Sequence, residues 1–366
     1  MAGDKTDIVV VGAGIFGLWC AHAALRRGLS VRVLEADGIG AGASGGLVGA
    51  LAPHMPERWG PKKQYQLEAL LALGPALRAV EAESGMPTGY DRTGRIVPLG
   101  SDTARTRALE RIVEARENWG DAAQMAVLPG DAYPRWLMPE AAPHGIVHDT
   151  LTGRLDPLAT CRALAEAIRR GGAVIETGVT VGAVGTGHVE TSHGVREGAA
   201  IIVAAGVAGF DLIAPHVGEV AGRAEKGQAA LLDLDLGDVP LIYADGLYLI
   251  AHRHGGVAVG ATSERRFDAT GPDELLDDVI RRARLICPRL ARRPVLKRWA
   301  GLRPRANGRD PMLGPIPGVE GVHAALGAFK IGFGIGHRVG EDVVAGIVDG
   351  PVEMPESFRV PAHLGL

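Results

Sequence analysis

Residues 7–12, Asp-Ile-Val-Val-Val-Gly, form an unbroken β-branched apolar run with no alternating polar positions. A strand reads this way when both of its faces are covered. Residues 15–27 then have helical composition with a basic end, and Gly28 marks the stop. A second apolar strand is predicted at 29–34, ending at Glu35. After a glycine–alanine–serine loop at 38–49, apolar and polar residues alternate at helical spacing over 61–84. A charged amphipathic helix is predicted at 102–119, with strand pieces at 96–99, 145–149 and 153–155. Asp156-Pro157 opens a helix to Arg170, with an acidic cap, proline in the first turn and basic residues at the end.

Further strands are expected at 173–177, 179–184 and 199–205, the last closed by Gly206. From 227 to 261 the pattern is hairpin-like, with strands at 229–234, 240–243, 247–251 and 257–260 between glycine and aspartate turns. A helix at 272–287, a strand at 295–301, a late apolar strand at 321–326 and a final helix at 334–349 complete the chain. Parallel-type strands thus occur at the start, middle and end, interrupted by two blocks of different character. The pattern predicts an α/β (α+β) chain: a Rossmann-like dinucleotide domain assembled from discontinuous segments, plus a mixed β-sheet substrate domain. The expected division gives 1–54, 145–220 and 301–350 to the nucleotide, 55–144 and 221–300 to the substrate, and leaves 351–366 as a tail.

The first strand runs into Gly12-Ala13-Gly14-Ile15-Phe16-Gly17. A pyrophosphate binds at a helix N-terminus, against free backbone N–H groups and the positive dipole end. Gly12 permits the tight turn, Gly14 lets the backbone approach phosphate, and Gly17 lets helix and strand pack closely. Glu35, 18 residues after Gly17, stands at the end of the second strand, where a ribose-binding acid is required. The unit does not separate NAD from FAD. The next loop, Gly40-Ala41-Gly42-Ala43-Ser44-Gly45-Gly46, could cradle a second phosphate region with its N–H groups and the Ser44 hydroxyl. Near the end, Gly332-Phe333-Gly334 precedes the last helix, and its N–H groups could stabilise negative charge.

Composition narrows the picture. The 366 residues are 46% hydrophobic and 22% charged, enough for one large or two medium domains with a sizeable core. The net charge of −3, with no run of like charges, argues against a nucleic-acid partner. No uncharged apolar run reaches the length of a membrane span, and the short apolar run after Lys5 is not a secretory signal, so a cytoplasmic location is expected. Cys20, Cys161 and Cys287 are far apart and read as buried free thiols. His252-Arg253-His254 has no third ligand nearby and reads as exposed turn residues, so no metal is expected.

With these motifs in place, the chain resembles the D-amino-acid-oxidase-like FAD-dependent oxidoreductases, and within them the glycine oxidases most closely. The resemblance rests on Val10-Val11-Gly12-Ala13-Gly14-Ile15-Phe16-Gly17, the run from Ala43 to His54, the strand closing at Ala205-Gly206, and Lys226-Gly227-Gln228. It continues through Tyr248-Leu249-Ile250 and Val259-Gly260-Ala261-Thr262 to Trp299-Ala300-Gly301-Leu302-Arg303-Pro304, and closes at Gly327-Ala328-Phe329-Lys330-Ile331-Gly332. It implies FAD in an extended form, contacted by Gly12, Gly14, Ile15, Phe16, Gly17, Glu35, Ala36, Ala43, Ser44, Gly45, Leu47, Val179, Ala205, Gly206, Gly301, Ala328, Lys330, Ile331, Gly332 and Phe333. It also implies amine oxidation: hydride leaves the substrate α-carbon for the flavin, and the resulting imine is hydrolysed. The cofactor carries the hard chemistry, and the protein must hold the substrate carboxylate so that its C–H is presented. Arg303 stands where the family's carboxylate-binding arginine stands, and a guanidinium suits that task because it grips a carboxylate with two parallel bonds. Tyr248 matches the family's substrate-contacting tyrosine, and Tyr243 could line the same pocket.

Three departures bear on the substrate. Lys330 replaces a second arginine of the glycine oxidases. The polar residue before Tyr248 is missing, with Asp245-Gly246-Leu247 in its place. The late apolar stretch is replaced by Gly334-Ile335-Gly336-His337-Arg338, which would put an imidazole near the flavin. His54 and His337 are therefore added to the expected substrate contacts. The stretch from Leu302 to Gly314 has no cysteine, so the FAD is expected to be non-covalent. The expected partner is a small carboxylate-bearing amine, with no nucleic acid and no membrane; a homo-oligomer is compatible with the sequence. Two other readings stay open: an amine, imino-acid or hydroxy-acid dehydrogenase that uses an acceptor other than oxygen, and a flavin-binding module without turnover.

Overall fold

The opening apolar run forms the strand Thr6–Val11, and every residue of it except Asp7 is buried. The computed structural model describes residues 6–364. Residues 1–5 of the expected nucleotide segment, Lys5 included, and 365–366 of the expected tail lie outside the described residues.

Thr6–Val11 pairs in parallel with Val31–Glu35 on one side and Gly194–Val203 on the other. Val174–Thr177 and Val322–Leu326 extend the parallel sheet outward, and Met312–Pro315 closes one edge antiparallel. The first strand is therefore the place where strand order reverses. In open α/β sheets the crevice beyond such a strand's C-terminal end is where ligands bind. Helices Ile15–Arg26, Pro157–Arg170 and Gly332–Val348 pack with this sheet around a core of Val10, Leu18, Val33, Leu164, Ile202 and Val339.

The second sheet runs in the order Val295–Ala306, Gly222–Leu232, Val257–Gly260, Leu247–Ala251, Leu241–Ala244, Arg95–Pro98, Ile146–Asp149 and Met125–Leu128. Helix Glu274–Ile286 buries Leu276, Val279, Ile280 and Ala283 against it, at the 3- and 4-residue spacing of one helical face.

Three placements differ from the expected division, one of them residues 301–306, which continue a strand of the second sheet. Ile146–Asp149 pairs with Arg95–Pro98 and Met125–Leu128, so the segment belongs to the second sheet until after residue 149. Helix Pro61–Ser84 packs on Pro157–Arg170 and Gly332–Val348, and Tyr65 donates to Asp342 at 2.7 Å, so it sits on the nucleotide side. The strand expected at 295–301 continues to Ala306, because it is an edge strand, where Pro304 can occupy a position that demands no ladder N–H. The strand expected at 199–205 begins at Gly194, extended by a hairpin with His188–Thr191 whose outer, partly polar half carries no apolar signal.

The three cysteines are free and buried. His252 corrects the exposed-turn expectation: it is 8% exposed, and its Nε2 meets the Leu47 carbonyl at 2.7 Å. Among the described residues no group of three His, Cys, Asp or Glu could hold a metal ion. No helix there is long and apolar enough to cross a membrane.

His337 is buried against Trp19, with ring centroids 5.8 Å apart, and neither ring nitrogen has a partner. Burial, with Arg338 adding to it, pushes its pKa down to about 4. Between that value and the ordinary 6.5 the unfolded chain binds a proton that the folded chain refuses, so stability falls as pH drops through this window. His337→Leu is expected to flatten the fall of the melting temperature between pH 6.5 and 4, and to leave it equal or higher at pH 7. Thermal melts across that range check this; an unchanged slope would contradict it.

Candidate active site

A cavity of about 1040 Å³ runs from the end of the first strand to the face of the second sheet. At its inner end Gly12 has φ +107°, and a Cβ there would stand 2.6 Å from the Ala204 carbonyl. A Cβ on Gly17 would stand 2.0 Å from the Gly12 carbonyl. Both glycines are therefore required by close backbone contact. Gly14 precedes helix Ile15–Arg26 in extended conformation with no side-chain cap of its own. Instead Ser44, from the following loop, accepts the Ile15 N–H at 3.0 Å. Its oxygen is committed to the helix end, so its own proton is free to be donated to an anion beside that end. The Glu35 carboxylate is fixed at the strand terminus, accepting Ala13 N–H at 2.7 Å and Asp37 N–H at 3.0 Å.

Of the residues expected to hold the cofactor, Gly12, Gly14, Ile15, Phe16, Glu35, Ala36, Ala43, Ser44, Leu47, Val179, Ala205, Gly206, Gly301, Ala328, Lys330, Ile331, Gly332 and Phe333 all line this cavity. Gly17 and Gly45 lie behind it as packing positions: a Cβ on Gly45 would meet the Gly40 carbonyl at 2.6 Å. The last helix points its N-terminus, Gly332, at the cavity. The two helix N-termini lie side by side, a Cβ on Gly332 standing 3.5 Å from Ile15 Cγ2, and with the glycine-lined channel they fit an extended dinucleotide.

The second sheet supplies the remaining wall. Arg303 lies on Val295–Ala306 opposite Glu225. Its guanidinium rests on Gly227, where a Cβ would come within 2.0 Å of it, and its Nη1 donates to the Thr262 carbonyl at 2.9 Å. Burial lowers its pKa, and the nearby charges of Glu225 and Glu264 oppose that. Neither acid pairs with it: Glu225 holds Arg305 at 2.9 Å and Glu264 approaches Lys226 at 3.6 Å. Tyr248 and Tyr243 face each other across the Leu241–Ala244 and Leu247–Ala251 hairpin, rings 4.7 Å apart, and both line the cavity. Burial raises the Tyr248 pKa against the opposing charge of Arg95, so its hydroxyl keeps its proton. Lys330 is exposed at the rim with its Nζ 5.2 Å above the Phe329 ring; burial of the stem and the charge of Arg303 lower its pKa.

His54 also lines the cavity, with its N–H held by Gln66 at 2.7 Å and its Nε2 buried without a partner. Burial, then Lys62 and Lys63, push its pKa down to about 4, so it is neutral at pH 7. His337 does not line the cavity, and neither does Arg338, which stacks on Tyr65 and pairs with Glu68. Sequence reasoning did not single out Arg95 or Gln66 and gave Trp299 no role within its motif; all three also line the cavity. Arg95 is 4% exposed and paired to Asp149 at 2.9 Å, and an arginine opening an apolar strand was the available signal.

The packing of Arg303 on Gly227 yields a prediction. Gly227→Ala must displace the guanidinium by about 1 Å or more, which is expected to lower kcat/KM for a carboxylate substrate roughly a hundredfold. Steady-state kinetics of the flavin-loaded variant check this, and wild-type kcat/KM would contradict the placement.

Comparison with known proteins agrees with this geometry. Residues 7–345 match the family described as FAD dependent oxidoreductase. The glycine oxidase of Pseudomonas aeruginosa is 29% identical over 342 residues, covering 89% of this chain and 90% of that protein. The crystal structure of glycine oxidase from Geobacillus kaustophilus superposes with a TM-score of 0.87 at 20% identity, covering 96% of this chain and 97% of that one. L-proline dehydrogenase from P. horikoshii superposes with a TM-score of 0.83 at 21% identity over 99% of both chains.

Proposed function

The chain belongs to the FAD-dependent oxidoreductases, the family matched over residues 7–345, and from that premise we propose that it oxidises a small carboxylate-bearing amine or amino acid at the α-carbon. The observation that carries this reading is Arg303: a guanidinium on the cavity wall whose hydrogen bond goes to a carbonyl, while the nearby acids are engaged elsewhere. A half-buried guanidinium left in this state is suited to take its anion from the substrate. FAD bound in the cavity supplies the acceptor for the hydride lost by the substrate.

The protein's own part is to bind and orient. Arg303 holds the carboxylate, and the protonated hydroxyl of Tyr248 can donate to the same group. Tyr243 and Trp299 add apolar wall that limits water around the α-carbon. Lys330 adds a second positive charge at the rim, as a flexible point charge rather than a planar fork. His54 presents a neutral imidazole to the cavity wall. At the inner end Glu35 suits ribose hydroxyls and Ser44 a phosphate oxygen, with the cofactor held non-covalently.

The test is product analysis with a panel of amino acids and N-alkyl amino acids, each beside its carboxamide. The proposal expects one oxo acid and one amine or ammonia per substrate consumed, with the carboxamide turned over far more slowly. Equal turnover of acid and amide would remove the carboxylate from recognition.

A further inference from the structure

The motif Lys226-Gly227-Gln228 is only partly absorbed by the site, since Gly227 alone touches Arg303. Successive residues of a strand face opposite ways, so Lys226 and Gln228 turn away from the cavity. Both are fully buried. A buried lysine is costly unless it is paired, and here it pairs with Asp273 and approaches Glu264. Gln228 Nε2 donates to Glu264 Oε1 at 2.9 Å and to Asp273 Oδ1 at 2.6 Å, while its Oε1 accepts the Asp273 N–H at 2.8 Å.

These contacts converge on one residue. The Thr262 hydroxyl accepts the Gln228 N–H at 3.0 Å and donates its own proton to Glu264. Lys226 and Glu264 exchange backbone hydrogen bonds, both at 2.9 Å, which ties the 262–264 segment to the strand. With its side chain locked on one side, Thr262 presents its carbonyl on the other, to Arg303 Nη1. We infer that Lys226, Gln228, Glu264 and Asp273 form a positioning network, buried at Lys226 and Gln228 and open to solvent at Asp273, that aims Arg303 through Thr262, so that substrate recognition depends on residues that never touch the substrate. This rests on the reading of Arg303 as the carboxylate holder. The physical reason is rotamer freedom: an arginine held only by packing on Gly227 can swing, whereas a fixed carbonyl acceptor selects one orientation before substrate arrives.

The test uses the flavin-loaded protein and small carboxylates, acetate, glycolate and benzoate, titrated against the flavin absorbance spectrum. Thr262→Val keeps the shape and removes both side-chain hydrogen bonds; Thr262→Ser keeps the hydroxyl. The network predicts a Kd raised about tenfold or more by Thr262→Val, with flavin content unchanged, and restored by Thr262→Ser. Wild-type affinity in a fully loaded Thr262→Val protein would overturn it, as would equal impairment of both variants. If Thr262→Val does not accumulate as holoprotein, Glu264→Gln is read by the same criterion. If none of the carboxylates perturbs the unmutated protein, the carboxylate-binding reading itself falls and takes the inference with it. If they do but the variants behave normally, only the network fails.

Discussion

Arg303→Met is expected to keep its FAD and to lose roughly a hundred- to a thousandfold in kcat/KM on any carboxylate-bearing substrate. Arg303 stands on an edge strand of the second sheet, and its guanidinium faces the cavity. Methionine keeps the apolar stem and removes the guanidinium that rests on Gly227, at a half-buried position on an edge strand, so the fold is not at stake. The loss is set by the charge-assisted pair, which in a part-buried site is worth about 2–5 kcal/mol. The same variant should lose far less on a substrate analogue without a carboxylate. Kinetics on the matched pair, with flavin content measured by absorbance, distinguish this from general damage. Equal losses on both would mean that Arg303 supports the wall rather than the substrate.

Gly12→Ala is expected to abolish FAD binding, giving a colourless protein. The residue sits at φ +107°, and its Cβ would come within 2.6 Å of the Ala204 carbonyl, 2.9 Å of the Ala204 carbonyl carbon and 2.9 Å of the Ala205 Cα. All three are backbone atoms of the segment that directly follows the neighbouring parallel strand, so no flexible side chain can yield. Relief requires the turn to move, which shifts the helix N-terminus that a pyrophosphate would meet. Purification followed by reconstitution with added FAD reads the outcome. A variant that takes up FAD with parental stoichiometry would contradict the assignment of this turn as the phosphate site.

Much of the fold was legible because its elements carry their own end signals. Helix Asp102–Trp119 was read to its end residues because Ser101 caps it, accepting the Ala104 N–H at 3.1 Å, and Gly120 follows. Pro61–Ser84 ends at Gly85 in the left-handed conformation. The assignment of helices and strands to layers was less legible, since the sheet that takes Ile146–Asp149 depends on pairing with residues about 50 positions earlier. The residues expected at the nucleotide end are mostly local in sequence, and nearly all of them line the cavity. The substrate end was less legible. Arg95 reaches the cavity only through its pairing with Asp149, and Thr262 matters only through a carbonyl, which no side-chain pattern announces. His337 misled for a simple reason. Gly332 and Phe333 at the start of the last helix line the cavity, but His337 stands one turn further along the axis, beyond the cavity, and packs on Trp19 instead.

The central claim is most directly tested by mixing the purified yellow protein, without oxygen, with D- and L-amino acids, N-methyl amino acids and cyclic imino acids in turn, and recording flavin absorbance. The account predicts that at least one carboxylate-bearing amine bleaches the flavin and that the colour returns when an electron acceptor is admitted. A fully flavin-loaded protein that no member of the panel bleaches, but that a hydroxy acid or a carboxylate-free amine does, would contradict it.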